Sequence, residues 1–251
     1  MKSLQGKRAL ITGGSRGIGG AVAQLFAEHG TRVAIGYRAR QEAAESLVAK
    51  LRDAGVEAHA LAADVSTRSG AETLVSEAAM LLGGMDYFVG NAGIWNPADV
   101  ALRDMPEEQW HRTMRENVDS MFYTTRSAAR VLEDHGRVVL VASTAGQRGE
   151  AYHADYAASK GAMISFVKSM CIELAPRGIT VNCVAPGWVD TEMCAIPYAD
   201  GGKERIARSI PLGRIADPRD IAGPIVFLCS ELARHITGEI VNVNGGSVLV
   251  G

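Results

Sequence analysis

The sequence predicts an α/β fold: one domain over residues 1–251, built on a doubly wound parallel sheet of about seven strands with helices on both faces. Two patterns and one bulk property point to it. Short apolar runs alternate with amphipathic stretches along the whole chain, the signature of parallel strands joined by right-handed helical crossovers. A glycine-rich loop links the first apolar run to the first amphipathic stretch. With 251 residues, 47% of them hydrophobic and 22% charged, the chain can bury a core that needs neither disulfides nor metal.

The elements follow in order. The first strand is Arg8-Ala9-Leu10-Ile11-Thr12. A helix from about Gly17 to His29 places Ala21, Val22, Leu25 and Phe26 at helical spacing, and Gly30 is placed to end it. Strand two is 32–37, and a charged helix over about 41–54 leads to strand three at 57–62. A helix over about 69–82 precedes strand four, Asp86-Tyr87-Phe88-Val89. A long helix covers about 107–132, strand five 136–142, helix five about 156–175 and strand six 180–184. A late helix near 218–230 precedes the last strand at 239–243. The stretch 191–214 has no clear period and is expected to be a substrate lid, because long connections in compact domains are often functional.

The bulk properties exclude several classes. A net charge of −2 argues against a nucleic-acid-binding surface. No apolar run reaches the roughly 18 residues that would span a bilayer. The first residues run into a strand and lack the apolar stretch of a signal peptide, so a cytoplasmic protein is expected. Cys171, Cys183, Cys194 and Cys229 form no C-x-x-C pair and have no His at ligand spacing, so reduced thiols and no metal are expected.

Strand one runs into Thr12-Gly13-Gly14-Ser15-Arg16-Gly17-Ile18-Gly19. Glycines let the backbone approach a pyrophosphate, and the following helix offers its N-terminal N–H groups to that anion. Where NAD-binding chains carry an acidic residue, strand two ends in Tyr37, then Arg38 and Arg40, with Arg16 in the loop. With no carboxylate there to repel a 2′-phosphate, and Arg38 able to grip one, the expected cofactor is NADP(H). Asp64 and Val65, after strand three, are candidates for the adenine, although Asp64 could equally cap the next turn. Asn91, Ala92 and Gly93 follow strand four and are expected beside the cofactor, at the carboxyl ends of the strands.

Tyr156 and Lys160 stand four residues apart, on one face of helix five. A Lys ammonium beside a phenol favours phenolate and lowers the Tyr pKa from about 10, which suits proton exchange with an alcohol or ketone.

Taken together, these motifs resemble those of the short-chain dehydrogenase/reductase family, over essentially the whole chain. The glycine motif, Asn91-Ala92-Gly93, Asn117 in Glu116-Asn117-Val118, Ser143 thirteen positions before Tyr156, the Tyr156–Lys160 pair and Pro186-Gly187 occur in the family's order. The resemblance implies a single-domain Rossmann fold and assigns roles. Tyr156 would be the general acid in carbonyl reduction, and Lys160 would hold the nicotinamide ribose and depress the Tyr156 pKa. Ser143 would orient the substrate oxygen, and Asn117 would anchor a water in a proton relay. Pro186, Gly187, Val189 and Thr191 would border the nicotinamide. One departure is Gly90, where many relatives have Asn; it is expected only to loosen local packing.

Length and motifs resemble the 3-oxoacyl-(acyl-carrier-protein) reductase-like branch, which implies docking of an acidic carrier protein on a basic rim. Arg177 fits that rim, with Arg126 and Arg130 as possible helpers, but Glu133 and Asp134 would repel such a partner. The alternative substrate is a free small ketone, sugar or alcohol. Candidate pocket residues are Trp95, Gln147, Glu150, His153 and Trp188. Helix five is apolar nearly all round, as expected of a helix buried on both sides. The resemblance implies a homotetramer through helix 156–175 and the end segment 245–251. The competing classes are a non-catalytic nicotinamide-redox sensor, which does not need an intact Ser143, Tyr156 and Lys160, and a purely structural oligomer, which leaves the glycine loop and Arg38 unexplained.

Overall fold

The computed structural model describes residues 1–249. Seven parallel strands form one sheet in the order β3-β2-β1-β4-β5-β6-β7: β1 Arg8–Thr12, β2 Arg32–Tyr37, β3 Ala58–Ala62, β4 Met85–Gly90, β5 Leu132–Val141, β6 Thr180–Pro186 and β7 Ile240–Val243. The strand order reverses between β1 and β4, so a crevice opens beyond their carboxyl ends.

On one face lie α1 (Gly17–Glu28), α2 (Gln41–Asp53) and α10 (Pro218–Cys229), whose Val22, Phe26, Leu47 and Ile225 pack with Ile11, Ile35 and Val139. On the other lie α3 (Arg68–Leu82), α5 (Ser120–Val131) and α7 (Ala154–Leu174), with Leu74, Met121 and Met163 against Leu10, Phe88 and Leu140. Adjacent strand residues thus serve opposite cores, which is why the strands read as continuous apolar runs.

The elements match the sequence pattern apart from particular departures. The long helix is α4 (Glu107–Met114) and α5 joined by a π turn, Arg115–Asp119. β5 begins at Leu132 rather than Gly136: Leu132 pairs with Met85, the register then shifts, and His135 takes φ 63° where the strand bends. Residues 191–214 are largely helical, with a 3-10 turn Glu192–Cys194, α8 (Ala195–Tyr198) and α9 (Gly202–Ser209). Pro197 and the charged sequence of α9 hide any apolar period. A further short helix, α6 (Ala145–Arg148), lies between β5 and α7.

Gly90 corrects an expectation. A Cβ there would lie 2.6 Å from Leu140 Cδ2, and Leu140 is fully buried, so this glycine makes room for core packing rather than loosening it.

Candidate active site

The crevice is a cleft of about 930 Å³. Its floor is built where β1 meets β4. Thr12 Oγ1 accepts the backbone N–H groups of Asn91 and Ala92, both at 3.0 Å, and Asn91 Nδ2 donates to the carbonyls of Thr12 and Gly13. Gly13 and Gly17 have φ of 62° and 53°, which L side chains rarely adopt. A Cβ on Gly19 would lie 2.4 Å from the Gly13 carbonyl oxygen, so Gly19 lets α1 pack onto the loop and does not itself line the cleft. The N-terminus of α1 has no side-chain cap. Its first N–H groups and the glycine backbone therefore make a cradle that fits a pyrophosphate.

Gly13, Ser15, Arg16, Gly17, Ile18, Arg38, Asp64, Val65, Asn91, Ala92, Gly93 and Thr191 all line this cleft. Pro186, Gly187 and Val189 do not: Pro186 and Val189 are buried, and Gly187 is backed by Asn244. Tyr156 and Lys160 also lie outside its wall; Lys160 approaches it at Gly93, where a Cβ would lie 3.6 Å from Lys160 Nζ.

The expectation that no carboxylate faces the arginines is overturned. Arg38 Nη1 donates to both carboxylate oxygens of Glu116, at 2.7 and 2.6 Å, and lies 3.6 Å from Asp64 Oδ1. Glu192, at the start of the 191–214 segment, accepts from Arg16 and from Arg40. Asp64 also accepts from the N–H and Oγ of Ser66, so it closes its turn as well as lining the cleft, and those bonds pull its carboxyl below the usual value. Glu116 and Glu192 escape sequence reading. Glu116 adjoins a motif residue, but only the helix geometry shows which way it faces.

At the reacting end, β5 delivers Ser143 and the first turns of α7 deliver Tyr156 and Lys160. Burial pushes the Tyr156 phenol well above its ordinary range; a hydrogen bond with Ser143 opposes this, and the Glu150 charge reinforces it. Lys160 is buried and donates to the Val141 carbonyl at 2.9 Å, with its Nζ 5.7 Å from the centre of the Tyr156 ring. Burial lowers its pKa from 10.5 to about 8. In this geometry Lys160 does not lower the Tyr156 pKa, contrary to the simple four-residue argument; the hydrogen bond with Ser143 is the main influence that does.

Asn117 is fully buried, and its side chain is wholly engaged. Oδ1 accepts the Ile94 N–H at 2.7 Å, and Nδ2 donates to the Ile94 carbonyl and to Ser159 Oγ, both at 3.0 Å. It ties the segment after β4 to α7. Next to Tyr156, the buried Asp155 accepts from Thr113 (2.7 Å) and Gln109 (3.2 Å) of α4. α6 presses on α7 so closely that a Cβ on Gly146 would lie 2.5 Å from the Lys160 carbonyl carbon.

The pocket candidates form an aromatic wall. Trp95 stacks on His153 (4.9 Å between centroids), meets Tyr156 edge-on (6.5 Å) and meets Trp188 at 6.0 Å; Trp188 in turn lies 5.9 Å from Tyr198. Trp95 Nε1, Gln147 Oε1 and His153 Nε2 are buried without a hydrogen-bond partner. Burial raises the Glu150 pKa. Of the basic residues considered for a carrier-protein rim, Arg177 and Arg126 are engaged elsewhere, and Arg130 is exposed. Arg177 donates to Asp134 and to the carbonyls of Ala129 and Leu132 at the end of α5, and Arg126 pairs with Glu72.

Comparison with known proteins places these features in context. Residues 13–247 match the family model described as enoyl-(acyl carrier protein) reductase. The chain is 39% identical over 250 residues to the 3-oxoacyl-(acyl-carrier-protein) reductase of Vibrio cholerae, covering 99% of this chain and 100% of that one. It is 36% identical to the Escherichia coli protein of that name, again covering 99% and 100%. Among solved structures, a blue fluorescent protein from a metagenomic library in complex with NADPH superposes with a TM-score of 0.92 at 33% identity, covering 98% of this chain and 100% of that one. A short-chain dehydrogenase from Burkholderia cenocepacia in complex with NADP superposes at 0.91 with 35% identity, covering 98% and 99%.

Proposed function

The chain belongs to the short-chain dehydrogenase/reductase family, and from that premise we propose that it is an NADP(H)-dependent oxidoreductase interconverting a carbonyl and a secondary alcohol. The observation that carries this reading is the grouping of Ser143, Tyr156 and Lys160, with Lys160 reaching the cleft lining at Gly93. Glycine backbone, an uncapped helix N-terminus and cleft arginines fit a phosphorylated dinucleotide.

When bound, that cofactor would supply the hydride. The protein's part in reduction is to deliver a proton and to stabilise charge. Tyr156 Oη gives its proton to the carbonyl oxygen as that oxygen gains negative charge. A phenol held above its ordinary pKa is fully protonated at neutral pH, and the substrate oxygen becomes basic enough to take that proton as it approaches an alkoxide. Ser143 Oγ donates to the same oxygen and fixes its position. Lys160 holds a buried donor whose Nζ lies 5.7 Å from the Tyr156 ring centre and which would bond the cofactor ribose once the cofactor is bound. Asn117 holds the segment bearing Ile94 against α7 and so fixes the distance between cleft and proton donor. Following NADPH absorbance with a ketone panel tests the reading; no turnover with any carbonyl, together with no NADPH binding, would refute it.

For the substrate, the curated relatives favour a 3-oxoacyl thioester on a carrier protein. A second reading rests on the pocket. Trp95 meets Tyr156 edge-on and Trp188 on another side, and among the described residues Trp95 Nε1, Gln147 Oε1 and His153 Nε2 lack hydrogen-bond partners, which favours a compact carbonyl compound with further polar groups. Arg177 is occupied and Asp134 carries the wrong sign for an acidic carrier. Higher kcat/KM for hydroxylated small ketones than for acetoacetyl thioesters would support the second reading, and the reverse order the first.

A homotetramer through α7 accompanies this proposal, since Ala158, Ala162 and Ile172 of α7 are exposed. The end segment expected at another interface is described only to residue 249. A cytoplasmic location is part of the same reading; among the described residues no helix is long and apolar enough to cross a membrane.

A further inference from the structure

The arginines that face the nucleotide cleft are already paired with carboxylates. Arg38 directs one nitrogen, Nη1, to both oxygens of Glu116 and stands near Asp64, while Glu192 accepts from Arg16 and Arg40. The pairs differ in solvent access. Glu192 keeps 62% of its side-chain surface exposed, so water screens it and can replace its partners. Glu116 keeps only 15%, lines the cleft beside Ile94 and Asn91, and is anchored on the π turn next to the buried Asn117. A carboxylate so placed is not free to swing away into water.

We propose that Glu116 is a specificity-determining residue that competes with the cofactor's 2′-phosphate for Arg38 and thereby sets the preference between NADP(H) and NAD(H). The proposal rests on the cofactor reading given above. Arg38 can bind a 2′-phosphate only by sharing or leaving Glu116, and the phosphate then lies close to a carboxylate it repels. A ribose 2′-hydroxyl meets no such penalty, because a carboxylate accepts a hydrogen bond from it. Arg38 therefore favours NADP(H), and Glu116 holds that advantage down and leaves a usable affinity for NAD(H).

Isothermal titration of NADPH and NADH tests this without turnover. Glu116→Gln removes the charge and keeps the shape, and Glu116→Leu removes the hydrogen-bonding group as well. Both are expected to tighten NADPH roughly fivefold to tenfold while NADH stays unchanged or weakens. In an Arg38→Ala background, Glu116→Gln should no longer change the NADPH-to-NADH ratio by that amount. An unchanged ratio in Glu116→Gln, equal tightening of both cofactors, or the same gain persisting without Arg38 would each overturn the proposal. A wild-type protein that bound neither dinucleotide would overturn the cofactor reading, and the proposal with it. Binding of the two cofactors with an unmoved ratio would overturn the proposal alone.

Discussion

The two ends of the active-site cleft are built on different physical terms. At the nucleotide end the ligand-facing groups are backbone amides, glycines and half-exposed arginines balanced by carboxylates. At the other end the anchoring groups are buried and locked, Lys160 on the Val141 carbonyl and Asn117 on Ile94 and Ser159, with the half-buried Tyr156 edge-on to Trp95. The contrast separates affinity from chemistry. The well-exposed Glu192 pairs can be traded for a phosphate at modest cost, whereas Glu116 and the buried donors at the other end hold one geometry. Substitutions at one end should therefore alter binding, and at the other turnover.

Tyr156→Phe gives the sharpest contrast. It should cost about 10²- to 10⁴-fold in turnover of the best panel substrate, with NADPH affinity nearly unchanged by fluorescence titration. Turnover close to wild type would remove the proton donor from the scheme. Arg38→Asp tests the other end. It should move the ratio of kcat/KM for NADPH over NADH by roughly tenfold to a hundredfold toward NADH, and an unmoved ratio would break the assignment of Arg38 to the phosphate.

Asp155→Ala comes next. It leaves Thr113 and Gln109 without their acceptor and should destabilise the fold by about 1–3 kcal/mol, read as a lowered denaturation midpoint, with NADPH affinity less affected than turnover. The last prediction concerns pH. Lys160 has a folded pKa of about 8 against an ordinary 10.5, so between those values the unfolded chain binds more protons than the folded one. Stability from this group therefore rises as pH climbs from about 8 toward 10.5. Lys160→Met should flatten that rise in thermal melts taken across the window; identical pH slopes would show that Lys160 is not the group responsible.

The same contrast governs what could be read from the chain. The strands were legible because parallel strands between two helical layers are apolar on both faces, and the glycine loop because its context is unusual. Ser143, Tyr156 and Lys160 were legible as spacing. Charge balance was not. Glu116 and Glu192 meet Arg38 and Arg16 from 78 and 176 residues away, and only the tertiary fold brings them together. Nor did spacing reveal that burial, rather than Lys160, dominates the Tyr156 phenol. Residues 191–214 looked irregular because half of α9 is charged, which conceals helical periodicity. Gly90 looked like a loss and proved to be a fit, since the chain gives no sign of Leu140 lying opposite.

Gly146 has a consequence for how this protein could be diversified. Its hydrogen faces the backbone of Lys160 with no room for a methyl group, so the short helix that carries it is tied to the catalytic helix at that point. A library that varies residue 146 would mostly sample displaced lysines and inactive clones. Residues 147–153 leave that contact, but Glu150 acts on the Tyr156 phenol through its charge and the His153 carbonyl accepts the Ala157 N–H at the start of α7. Substitutions along this segment thus differ in how far they reach toward Tyr156, with Gly146 the position that tolerates least.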